Sequence, residues 1–84
     1  MRLQEDLLAF INADVSLDRS AAIVADTDLL LTALVDSLGV VEIVGWLQER
    51  SGVTIDPMDV VLENFQTVER MLALVERLLA EGAA

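Results

Sequence analysis

The side chains able to do chemistry in these 84 residues are carboxylates, hydroxyls and five arginines, because histidine and cysteine are both absent. That inventory excludes Ser-His and Cys-His nucleophile pairs, His/Cys zinc sites, disulfides and thiolate attack. Among the hydroxyls, Ser37 stands out, since Asp36-Ser37-Leu38 falls where a helical pattern begins. No base accompanies it, so the chain by itself does not make it a nucleophile. The acid pairs Asp14/Asp18 and Asp26/Asp28 lack the glycine and glutamate of a calcium loop and read as solvated loop charge. Nothing marks two facing acids in a cleft, as a carboxylate-pair hydrolase needs. The chain reads as a binding or carrier module, not an enzyme.

The elements that must position Ser37 follow from apolar spacing. Leu3, Leu7, Leu8, Phe10 and Ile11 predict an amphipathic helix from residue 3 to about 13. From Asp14 to Asp36 the periodicity fades into turn and cap formers. A connection of that length tends to be functional or to pack over the core, and the apolar group Leu29 to Leu34 is expected to fold back and bury itself. A second helix is expected over 37–50, with Ser37 as N-cap, Asp36 at the positive end of the dipole and Gly52 as stop. Asp56-Pro57 opens a short helix ending near Glu63-Asn64. Thr67 then caps a last helix whose buried stripe is Val68, Met71, Leu72, Val75, Leu78 and Leu79. Met58 and Met71 read as core filler, and Trp46 as a packing residue at the rim of the second helix. The expected fold is all-α: three main helices plus one short helix, a long first loop, and residues 1–84 as a single carrier domain.

Composition narrows the partners. With 55% apolar and 24% charged residues the chain is expected to fold. Its net charge of −10 repels nucleic acid and anionic lipid, so neither is an expected partner. Acids arrive by Glu5, which argues against a signal peptide, and the apolar runs are short of the roughly 20 residues that span a bilayer. A cytoplasmic monomer is expected. The start at Met1 and the soft Glu81-Gly82-Ala83-Ala84 tail favour a free-standing chain.

On the second helix, Val40, Ile43, Val44 and Leu47 share one side and form the core stripe. Leu38, Val41, Gly45 and Gln48 fall on the opposite arc, flanked by Glu42 and Glu49. An apolar arc with an anionic rim suits docking of partners with basic patches, although scattered exposed aliphatics are also ordinary surface.

The segment Leu34-Val35-Asp36-Ser37-Leu38-Gly39-Val40-Val41-Glu42-Ile43-Val44 resembles the phosphopantetheine attachment region of acyl and peptidyl carrier proteins. Val53-Thr54-Ile55-Asp56-Pro57 is similar to the family's extended segment before its short helix. Glu63-Asn64-Phe65-Gln66-Thr67-Val68 looks like the Glu-Asn-Phe-x-Thr element most often seen in aminoacyl and peptidyl carriers. Two positions depart from the pattern. Many relatives have glycine where Ala33 stands, and Gly39 replaces an acid of fatty-acid-type carriers, which is expected to remove one partner-facing charge.

The resemblance implies that Ser37 bears a 4'-phosphopantetheine arm, transferred from coenzyme A by a phosphopantetheinyl transferase. The arm's thiol would hold an aminoacyl or acyl group as a thioester. Implied partners are that transferase, an adenylating acyl or aminoacyl ligase, and tailoring or condensing enzymes of secondary metabolism. Asp36, Leu38, Val41, Glu42 and Glu49 are the implied recognition residues. The alternatives are a fatty-acid or polyketide-type acyl carrier, or an acidic helical adaptor that is never modified.

Overall fold

The first helix, α1 (Arg2–Phe10), runs without a break into a wider turn, Ile11–Val15, in which Ser16 N–H donates to the Ile11 carbonyl five residues back at 2.8 Å. The structure, a computed structural model, describes residues 2–18 and 20–82. Leu7, Ile11 and Val15 are all buried, so the apolar stripe extends past the expected end near residue 13. The widened turn is what keeps Val15 on that face.

The long first connection is tied down at both flanks. Asn12 accepts from Ile23 N–H at 3.2 Å and donates to the Ile23 carbonyl at 3.2 Å, which seats Ile23 against α1. Further on, Leu29 N–H donates to the Gln66 carbonyl at 2.8 Å and Glu69 N–H to the Ala25 carbonyl at 3.1 Å. The expected fold-back holds for Leu29, which is fully buried, and in part for Leu30 and Leu34. It fails for Leu31, 70% exposed, because the turn at residues 30–33 points that side chain outward.

Helix α2 (Ser37–Ser51) ends as expected at Gly52, whose φ of 79° is the left-handed conformation glycine adopts freely, and whose N–H donates to the Gln48 carbonyl at 2.9 Å. Ile43 and Leu47 are fully buried, with Val40 and Val44 packed half-buried beside them. The expected short helix from Asp56 arrives in two pieces. Asp56 accepts from Met58 N–H at 2.9 Å and opens a single 3₁₀ turn, Pro57–Asp59. Val61 is then extended before α3 (Leu62–Phe65) begins. That turn throws Met58 into solvent at 86% exposure, so Met58 is not core filler, whereas Met71 is fully buried.

Thr67 caps α4 (Val68–Gly82) by accepting from Arg70 N–H at 3.1 Å. Val68, Met71, Leu72, Leu74 and Val75 are buried, but Leu79 is 49% exposed. By that point α4 has run past the core, and Leu79 lines an open groove of about 680 Å³ with Gly52 and Val53 at the far end of α2 from Ser37. Glu81 and Gly82 are still helical, while Met1 and the Ala83-Ala84 end lie outside the described residues, as does Arg19. The described residues are thus all-helical, with four α-helices and no strand, around one apolar cluster that includes Phe65. No helix among them is long and apolar enough to cross a membrane.

Candidate functional site

The chain reaches Ser37 through a tightly held turn. Leu17 N–H donates to the Leu34 carbonyl at 2.9 Å and Val35 N–H to the Leu29 carbonyl at 3.0 Å, while the Val35 side chain is 2% exposed. Ala33, within this turn, has a φ of 59°. A Cβ in that region is strained by about 1 kcal/mol, and this is the position where glycine is common in the carriers the sequence resembles.

Asp36, not Ser37, is the N-cap of α2. Its backbone is extended, and its carboxylate accepts from Gly39 N–H at 2.8 Å. Two cap-forming residues stand side by side, and the one whose carboxylate reaches the third helical N–H takes the role. Ser37 becomes the first helical residue, exposed to solvent, and its hydroxyl makes no hydrogen bond among the described residues. A free hydroxyl at the positive end of a helix dipole is well placed to carry an anion.

Gly39 corrects another expectation. It is buried, and a Cβ there would meet Val35 Cγ1 at 2.8 Å and Val15 Cγ1 at 2.9 Å. The position faces inward, so no partner-facing charge is lost by having glycine.

The rest of the predicted recognition set faces outward. Leu38 and Val41 are 67% and 65% exposed, and Glu42 and Glu49 are exposed. From Leu38 to Glu49 this face extends roughly 16 Å along the helix. Gln48 leaves the arc, because its Oε1 turns to accept from Ile55 N–H at 2.8 Å and ties residues 53–56 to α2. Trp46 packs at the rim, its ring stacked on Phe10 at 5.5 Å and 13°. The Arg50 guanidinium lies 4.8 Å from the Trp46 ring centroid and 3.5 Å from Asp6.

Two grooves flank α2, both with apolar linings but differing in the carboxylates around them. On the α3 side a mostly apolar groove of about 510 Å³ opens at Ser37, between Val40 and Val41 on one wall and Val60, Val61 and Leu62 on the other. On the α1 side a groove of about 450 Å³ lies between Val41, Gly45 and Trp46, with Asp14, Glu42 and Glu49 around it. The sequence reading missed the Val60–Leu62 wall. Its signal was the apolar run just after the Asp56-Pro57 start, which was absorbed into a helix.

The Asn-Phe-Gln-Thr element has structural work. Asn64 donates to the Asp59 carbonyl at 2.9 Å, Phe65 is fully buried, and Gln66 Nε2 donates to Asp28 at 2.7 Å. Chiefly through that Gln66 amide, and also through Leu31 N–H, the Asp28 carboxyl is held below its ordinary pKa.

A family model described as the phosphopantetheine attachment site matches residues 6–75, most of the chain. No curated protein matches at a significant level. Carriers of this family are modified by phosphopantetheinyl transferases and visited by biosynthetic enzymes, and they catalyse nothing themselves. An all-helical body, a helix-opening Asp-Ser-Leu and a match over residues 6–75 agree that this chain belongs to the phosphopantetheine-binding acyl and peptidyl carrier family, as a non-catalytic carrier with covalently attached 4'-phosphopantetheine.

Proposed function

We propose that Ser37 is the attachment residue and that residues 1–84 act as one carrier domain for an aminoacyl or peptidyl group. The observation that carries this is the exposed Ser37 hydroxyl at the start of α2, which has no hydrogen bond among the described residues because Asp36 supplies the cap. The residues fit the group. A phosphodiester on Ser37 meets the helix dipole, and the mostly apolar wall of Val40, Val41 and Val61 offers no carboxylate beyond Asp36 itself. The bound arm supplies a terminal thiol that holds the cargo as a thioester. Asp36 orients α2 under the serine and has a second carboxylate oxygen for the transferase to read. Leu38 and Val41 provide the apolar contact for partners, and Glu42 and Glu49 attract their basic patches.

Aminoacyl cargo is supported by the Glu63-Asn64-Phe65-Gln66-Thr67 likeness. A second reading, fatty-acid or polyketide-type acyl carriage, is favoured by the 510 Å³ groove beside Ser37, whose lining suits an alkyl chain. Mass spectrometry of the modified chain, after incubation with aminoacyl-adenylating and with fatty-acyl-adenylating ligases, separates the two. An aminoacyl thioester is expected, and loading by fatty-acyl ligases alone overturns the choice. The family match favours either over an adaptor that is never modified.

A further inference from the structure

We infer that Asp28 and Gln66 are positioning residues for the modification of Ser37, their side-chain bond holding the left-handed turn at Ala33 through which the chain enters α2. The inference rests on the proposed attachment at Ser37 and adds residues remote in sequence that set how readily that serine is presented.

Residues 28–35 form a closed loop just before the cap of α2. Val35 N–H donates to the Leu29 carbonyl at 3.0 Å, Ala33 N–H to the Leu30 carbonyl at 3.2 Å, and the Thr32 hydroxyl to the Asp28 carbonyl. Within the loop Ala33 has a φ of 59°, a conformation that its Cβ disfavours and that persists only where the surroundings impose it. Asp28 is where they do so. One carboxylate oxygen, Oδ1, accepts from Leu31 N–H at 2.9 Å, which fixes the start of the turn. The other, Oδ2, accepts from Gln66 Nε2 at 2.7 Å across 38 residues of sequence. Gln66 holds the same place from its backbone, its carbonyl accepting from Leu29 N–H at 2.8 Å. Asp28 and Gln66 are half-buried, whereas Leu29 and Phe65 beside them are fully buried, so the clasp is anchored on the core. Hydrogen bonds to a charged acceptor are the stronger kind.

The other end of the loop delivers this restraint to the site. Val35 is 2% exposed, and its Cγ1 leaves no room for a Cβ at Gly39. Gly39 N–H is the group that the Asp36 carboxylate caps. A turn that relaxes at Ala33 moves Val35, and with it the cap that leaves the Ser37 hydroxyl exposed. Loss of the clasp therefore lowers the fraction of chains in which Ser37 is ready and leaves the chemistry at its oxygen alone. Such a loss raises the transferase KM for the carrier and keeps kcat unchanged.

The test is the rate of phosphopantetheine transfer from coenzyme A, followed by intact mass over a range of carrier concentrations, for the full chain and its variants. Gln66→Leu keeps most of the side chain's bulk and removes the donor. Its transfer KM should rise about tenfold with kcat unchanged, as expected where the ready turn falls to about a tenth of the population. Hydrogen exchange of the Leu31 and Val35 amides should quicken, while that of Leu47 in the core of α2 stays as in the wild type. Two rescues separate positioning from general stability. Ala33→Gly added to Gln66→Leu should return KM to within about twofold of the wild type, because glycine adopts the turn without the clasp. Exchanging the partners, Asp28→Asn with Gln66→Glu, should also restore it. An amide at position 28 can accept from Leu31 N–H and donate to the new carboxylate, whereas Gln66→Glu alone sets two carboxylates together. An unchanged KM in folded Gln66→Leu, a fall in kcat instead, or a loss that neither rescue repairs overturns the inference. Circular dichroism verifies the folding of each variant, and if Gln66→Leu does not fold, Gln66→Glu against the exchanged pair decides the same question. A wild-type chain that takes no adduct strikes the attachment reading and this inference with it. Wild type and Gln66→Leu modified alike remove only the role of the clasp.

Discussion

At Asp36 and Ser37 two adjacent polar side chains stand at the start of α2, and only the aspartate caps it, which leaves the serine available for the proposed attachment. A serine that caps its helix has its hydroxyl committed to a backbone N–H, and here the aspartate releases it. Ser37→Ala should therefore leave the melting temperature nearly unchanged, whereas Asp36→Ala should cost about 1 kcal/mol and lower it by roughly 4–8 °C. Equal effects in thermal melts would return the cap to Ser37. Gly39→Ala drives a methyl into Val35 and Val15, and should destabilise by about 1–3 kcal/mol in chemical denaturation. Ala33→Gly should do the reverse, stabilising by up to about 1 kcal/mol as the left-handed backbone is relieved, less the added freedom of the unfolded chain. The residue patterns showed that a polar pair opened α2. They did not show which of the pair capped it, because both types favour the position and the choice depends on backbone angles.

The elements follow sequence patterns where those patterns are local and depart from them where packing decides. Gly52, Asp56-Pro57 and Thr67 each act as the stop or start that their chemistry indicates. The break between the Pro57–Asp59 turn and α3, and the exposure of Met58 and Leu79, depend on where the core ends and were not legible along the chain. Helical phase was legible in α2, and it gives a sharp contrast. Val41→Asp should keep the fold while slowing partner loading, whereas Ile43→Asp should unfold it by burying a charge. Comparable unfolding of both in circular dichroism would mean that Val41 belongs to the core. The clasp between the first loop and the α3–α4 junction makes a pH prediction. Asp28 has a lowered folded pKa, so its contribution is present above the unfolded value near 4 and is lost as pH falls below it. Asp28→Asn should flatten the acid limb of stability measured from about pH 5 down to 2.

For the whole molecule, a net charge of −10 on 84 residues sets up a field that steers basic partners and strains the folded chain by self-repulsion. Association with a loading ligase should slow as salt shortens the Debye length from about 10 Å at 0.1 M to about 3 Å at 1 M. Reversing Glu42 or Glu49 should slow it more than reversing Glu76, and equal losses in stopped-flow would mean that net charge alone acts. The central claim remains the covalent role of Ser37, and intact-protein mass after incubation with coenzyme A and a broad-specificity phosphopantetheinyl transferase tests it most directly. A single phosphopantetheine adduct on the wild-type chain, absent from Ser37→Ala although that variant is equally folded, is the predicted result. No adduct on the wild type, or one that survives Ser37→Ala, would contradict it.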